Sequence, residues 1–132
     1  MIKPLLLLIP LTMQISAAAA AQHDGSQIAS DNETGNDPSL MKSSVESELN
    51  TAYRNAKKRI EAAYRADEDL GTHYLQTLLD SQRGWLKYRD GQCRLEAFIA
   101  EEGTAASAEL TDSCAIRMDK QRIAQLNAMP YQ

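Results

Sequence analysis

Cys93 and Cys114, the only two cysteines of the chain, stand ten residues before and eleven residues after Gly103. If the flanking segments are helices that double back at that glycine, the two positions come level on facing helices. A disulfide requires Cα atoms within about 7 Å of each other, so the pair is compatible with an antiparallel helical hairpin and with few other arrangements. Closing that loop contributes roughly 3 kcal/mol in the chain-entropy account, a large share of the ~5–15 kcal/mol that stabilises a small domain.

The hydrophobic periodicity supplies the helices. Asp37-Pro38 reads as a helix start, with an acid at the N-cap and proline at the first helical position, where its missing N–H costs nothing. Beyond it, Met41, Val45, Leu49, Ala52, Tyr53, Ala56, Ile60, Ala63 and Tyr64 recur at steps of three and four, the signature of one buried helical face. The first helix is expected over 38–66. Asp67-Glu68-Asp69 and Gly71 form the expected break. A second helix follows over 72–101, with Leu75, Leu78, Leu79, Gln82, Trp85, Leu86, Arg89, Cys93 and Ala97 on one face. Gly103 is the expected C′ residue. A third helix over 105–127 carries Leu110, Cys114, Ala115, Met118, Arg122 and Leu126, and Pro130 stops it. With one Phe, five Tyr and no β-branched runs, nothing competes as a strand. The expected fold is all-α, a small antiparallel three-helix bundle with one disulfide-braced hairpin and a four-helix arrangement as the alternative.

The first residues bear on compartment. Met1-Ile2-Lys3 is a short positive segment, Leu5 to Leu11 is apolar, and Ser16 to Ala21 is a run of small residues. This is the pattern of a cleaved signal peptide over 1–21, with cleavage expected before Gln22. The apolar stretch is about half the ~20 residues that span a bilayer, so no stable membrane insertion is expected. No cysteine lies at the cleavage site to accept a lipid. The expected location is periplasmic or secreted, an oxidising setting in which two cysteines pair. Residues 22–37 are polar and aperiodic and read as a disordered tether. The helical domain then occupies 38–132. Asn32-Glu33-Thr34 fits a glycosylation sequon, a short match that carries little weight by itself.

The whole chain has a net charge of −4, and losing Lys3 with the leader takes it to −5. That sign argues against nucleic acid and permits a basic partner. No catalytic constellation stands out. His23 lies in the tether, and His73 sits beside the expected start of the second helix, as a solvated or capping side chain. The cysteines are spent on each other. Asp67-Glu68-Asp69 and Glu101-Glu102 fall at helix ends as turn charges. There is no phosphate loop, EF-hand spacing or HExxH motif. Neither enzymatic activity nor a metal or other cofactor is expected.

Residues 82–93, QRGWLKYRDGQC, depart from an ordinary amphipathic helix. Gln82 and Arg89 share a face with Trp85 and Cys93, and Arg122 sits similarly in the apolar arc of the third helix. A guanidinium there must reach water or find acceptors. One reading has Arg89 and Arg122 organising hydrogen bonds between helices, with Trp85 as a core anchor. The other makes the Gln82/Arg89 surface a partner-binding face. The candidate carboxylates for Arg89 are Asp90, Glu96 and Asp119, with Asp119 favoured because it lies on the partner helix of the hairpin.

The run from Gln82 to Cys93 resembles the signature of the LprI-type lysozyme-inhibitor family, small exported bacterial helical proteins with a QxxWxxxRDxxC-like stretch. Leu49-Asn50-Thr51-Ala52-Tyr53 is similar to that family's LNxxY helix, and Cys114, Arg122 and Leu126 are similar to its closing segment. The resemblance spans about residues 45–127. The chain departs from it at Asp119, where the family pattern has Thr, and in lacking further cysteines upstream. The resemblance implies a fold-specifying role for Gln82, Trp85, Arg89, Asp90, Arg122 and the two cysteines. It also implies binding to a lysozyme-type muramidase, for which Glu101 and Glu102 are the candidate contact residues. The alternative is an envelope scaffold or immunity protein with another protein partner. Oligomeric state is left unassigned. The reading predicts a mature protein that begins near Gln22 and has no alkylatable thiol. Intact mass with and without an alkylating agent checks it, and two alkylated cysteines in protein from its native compartment would contradict it.

Overall fold

The computed structural model describes residues 37–131. The expected signal peptide, the tether up to residue 36, and His23 lie outside the described residues. The N-cap of the first helix forms as the sequence suggests. Asp37 Oδ1 accepts hydrogen bonds from the Ser39 backbone N–H at 2.9 Å and from the Ser39 hydroxyl at 2.9 Å. Those bonds, the backbone one foremost, hold its carboxyl below the ordinary aspartate value. Helix α1 runs over Pro38–Ala63 and buries Val45, Leu49, Ala52, Ala56 and Ile60.

Helix α2 spans Glu68–Glu96, so both of its ends fall earlier than the spacing predicts. Asp67 caps it, accepting from the Leu70 N–H at 3.0 Å, and α1 correspondingly stops at Ala63 rather than 66. Gly71 is therefore not in the break but inside the first turn of α2, donating to the Asp67 carbonyl at 3.0 Å. Its low helix propensity is offset by what it permits. A Cβ at Gly71 would come within 3.0 Å of Tyr64 Cβ, so glycine lets the two helix ends cross closely.

At its far end α2 tightens into a single 3₁₀ turn, Ala97–Ile99, a common way for a helix to finish. The chain then turns through Gly103, whose φ is +82°, a conformation that favours glycine. Thr104 caps α3, accepting from the Ser107 N–H at 3.2 Å and donating to the Glu101 carbonyl at 2.6 Å. Helix α3 covers Ala105–Asn127.

The fold is an up-down-up bundle of three helices, with no strand among the described residues. Helices α1 and α3 run parallel. Lys42 pairs with Asp112 at 2.9 Å near one end, and at the other Arg59 donates to the carbonyls of Leu126 at 2.7 Å and Met129 at 2.9 Å. Ala52 and Ala56 on α1 are small enough to let these two helices approach closely. Helix α2 runs antiparallel to both, and the Cys93–Cys114 disulfide joins it to α3 with Cα atoms 5.4 Å apart. The main core gathers Leu49, Ala52, Ala56, Ile60, Leu78, Leu126 and Met129. A second cluster surrounds the disulfide with Ala115 and Met118, and Trp85 packs against both. Among the described residues no helix is long and apolar enough to cross a membrane.

The close approach at Gly71 has a measurable consequence. Gly71→Val should lower stability by ~1–3 kcal/mol, because the added side chain must displace Tyr64. Gly84→Ala, which meets nothing within 4 Å, should raise it by ~0.5–1 kcal/mol through helix propensity. Denaturant melts of the two variants should move in opposite directions.

Candidate functional site

The residues that looked odd in sequence are brought together inside the bundle. Arg89 reaches all three helices. Its Nη1 donates to Asp119 Oδ1 on α3 at 2.9 Å, and its Nε donates to Asp90 Oδ1 on α2 at 2.9 Å. Glu46 of α1 lies 3.6 Å from Nη1. Asp119 is completely buried, and its second oxygen has no hydrogen-bond partner. An isolated buried carboxylate is costly, so Arg89 is the group that makes Asp119 tolerable there. Burial pulls the Arg89 guanidinium toward lower pKa, but the hydrogen bonds to Asp119 and Asp90 more than offset it, and the net shift is upward.

Arg122 solves the same problem without a carboxylate. It donates to Gln82 Oε1 at 2.9 Å, Gln125 Oε1 at 3.0 Å and Ser81 Oγ at 3.1 Å. Lacking a compensating anion, its pKa is lowered by burial. Both guanidinium groups lie over the Trp85 ring, at 5.6 Å and 5.8 Å from its centroid, within cation–π range. Gln82 is buried and the Arg89 side chain is only 12% exposed. This constellation therefore joins helices, with Gln82 and Arg89 turned into the bundle and Asp90 left exposed at its edge.

The charges expected at the helix ends lie apart. Asp67 is consumed as a cap, while Glu68 and Asp69 are exposed in the first turn of α2. His73 is exposed one turn on, and its carbonyl accepts from the Thr77 hydroxyl at 3.0 Å. At the opposite end of α2, Glu101 and Glu102 are exposed in the turn that leads to α3. Neither makes a side-chain ion pair among the described residues. Glu96 nearby does, with Arg117 at 2.7 Å, and that bond holds its carboxyl below the ordinary glutamate value.

The disulfide end also exposes apolar side chains that the sequence reading passed over. Leu95 is 69% exposed, Phe98 85% and Ile99 87%. Beside them lies a groove of about 670 Å³ between the end of α2 and the start of α3, lined by Gly91, Leu95, Phe98, Ala100, Glu102 and Thr111 among others. One signal was available: the chain's only phenylalanine stands next to an isoleucine immediately after the last residue of the core stripe, Ala97. No group of three or more His, Cys, Asp or Glu among the described residues is placed to hold a metal ion.

Arg89→Ala should cost ~3–5 kcal/mol, since it strands Asp119 as a buried unpaired charge. Replacing the exposed Glu101 and Glu102 by Gln should change stability by less than ~0.5 kcal/mol. Thermal melts of both variants provide the comparison, and a loss below ~1 kcal/mol for Arg89→Ala would contradict the assignment of Arg89 to the interior.

Comparison with known proteins places the chain in a family. The family described as "Lysozyme inhibitor LprI" matches residues 16–126 of the chain. An uncharacterized protein of Rhizobium meliloti (strain 1021) is 32% identical over 88 residues, which is 64% of this chain and 63% of that protein. The match thus spans less than two thirds of the relative's length. No solved structure matches.

Proposed function

The chain belongs to the LprI family of lysozyme inhibitors, and on that premise we propose that it is an exported protein that inhibits a lysozyme-type muramidase by direct binding. In this reading residues 1–21 are removed on export, 22–37 form a tether, and the helical domain from residue 38 acts in the periplasm or outside the cell. It holds no cofactor and performs no chemistry of its own. The observation that carries the proposal is the turn between α2 and α3. Glu101 and Glu102 are exposed there without internal partners, ahead of the first turn of α3 and next to a disulfide-braced pair of helices.

A mature charge of −5 favours encounter with a basic enzyme, as lysozymes of animal origin generally are, and charge complementarity raises association rates. Glu68 and Asp69 cannot share one small enzyme's surface with Glu101 and Glu102. The 29-residue helix between them is ~43 Å long at ~1.5 Å per residue. The braced turn is the better candidate because less ordering entropy is lost when it binds.

Lysis of a cell-wall suspension by a basic lysozyme, with and without the purified mature protein, tests the proposal. Inhibition is expected, and it should weaken as ionic strength rises and the screening length falls below ~8 Å. Replacing Glu101 and Glu102 by Gln should reduce inhibition at least several-fold. Absence of inhibition at tens of micromolar would overturn the reading and leave an envelope scaffold or immunity role with a different protein partner. Inhibition unchanged in the double variant would keep the activity and remove these two residues from the contact.

A further inference from the structure

Resting on the reading of this protein as a muramidase inhibitor, we infer that the groove lined by Gly91, Leu95 and Phe98, together with the exposed Ile99 next to Phe98 in the chain, is the apolar docking surface for the muramidase. Phe98 and Ile99 are 85% and 87% exposed, a cost in water that burial against a partner would recover. They are not on a loose loop. Ala97, the residue before them, is buried, and its carbonyl accepts from the Ala100 N–H at 3.0 Å. Cys93, one turn earlier, is tied to α3. The two side chains are thus presented on a preorganised 3₁₀ turn, and preorganisation reduces what association must offset.

Gly91 points the same way. It lies in the interior of α2, where glycine is less favourable than alanine. A Cβ there would meet nothing within 4 Å, so no packing within the bundle requires a glycine. Gly91 lines the groove, and its lack of a side chain leaves that part of it open. Gly84, two turns earlier on the same helix, also faces open space but does not line the groove.

Charge around the groove selects among occupants. Glu102 lines it and Glu101 adjoins it, while Glu96 is already matched by Arg117. An apolar surface with an acidic edge fits a basic protein. Tip-to-tip pairing of two copies of this chain would set Glu101 and Glu102 against their own equivalents, and an anionic lipid surface would be repelled by them. Arg94, also on the groove wall, makes no ion pair among the described residues. A lone cation is of the sign that a pair of carboxylates in a muramidase cleft takes.

Calorimetric titration of the mature protein into a basic lysozyme at physiological salt, run beside the cell-wall lysis assay, tests the inference. The variants are Phe98→Ser with Ile99→Ser, and Gly91→Met, which fills the groove. Gly84→Met and Leu70→Ser, at an exposed residue on the far end of α2, serve as controls. Thermal melts confirm that each variant is folded. The groove variants are expected to weaken binding and inhibition at least tenfold, while both controls behave as the parent protein. Parent-like binding by the groove variants would overturn the inference while leaving the inhibitor reading intact. Absence of lysozyme binding by the parent protein would overturn both. If sedimentation shows concentration-dependent dimers that the groove variants abolish, or if purified glycan strands bind the parent and not those variants, the groove has a different occupant and the assignment to muramidase fails.

Discussion

The pairing of Arg89 with Asp119 is the contact on which the middle of the bundle turns. Asp119 is wholly excluded from water on α3, and in that setting a carboxylate survives only beside a cation held in good geometry. Arg89 supplies the cation from α2 and, through Glu46, extends the charge cluster to α1. One guanidinium therefore contacts all three helices at a single level. Trp85, lying beneath both Arg89 and Arg122, joins this polar layer to the hydrophobic clusters on either side.

The two ends of the molecule are finished differently. At one end Arg59 satisfies the last carbonyls of α3, and Gly71 allows α1 and α2 to cross closely. At the other, the disulfide and the Thr104 cap secure a short, tight connection. Rigidity at the second end is combined with side chains that gain nothing inside the protein, Phe98 and Ile99 above all. A stable domain that holds large apolar groups out in water at a fixed point has a surface suited to another molecule. The family-specific residues of the Gln82–Cys93 run serve the scaffold beneath that surface. They hold together the helices that present it.

Much of this was legible in the residues. The apolar steps of three and four identified α1 and α3 to within a few residues, and Asp37-Pro38 marked the first N-terminus. The position of Cys93 and Cys114 about Gly103 indicated the hairpin. Asp119 stood out as a partner for Arg89 because the hairpin placed it on the facing helix. The limits of α2 were less legible. Gly71 has the composition of a breaker, and only the proximity of Tyr64 shows why a helix tolerates it there. The end of α2 is hard to place from sequence because Glu101, Glu102 and Gly103 look like a C-terminus, while the tightening at Ala97–Ile99 leaves no periodicity signal in three residues.

By itself, the sequence determined the all-helical class, the disulfide and the burial of most of the core stripes, although Met41 and Ala63 of the first stripe lie exposed near the ends of α1. Each follows from local spacing, and spacing survives whatever the rest of the chain does. Which side chains of the turn face water was decided only by the tertiary structure. With Ala97 anchored in the bundle and the backbone wound into a 3₁₀ turn, Phe98 and Ile99 have no neighbouring helix to cover them. That outcome depends on where α1 and α3 lie in space, and no spacing along α2 encodes it.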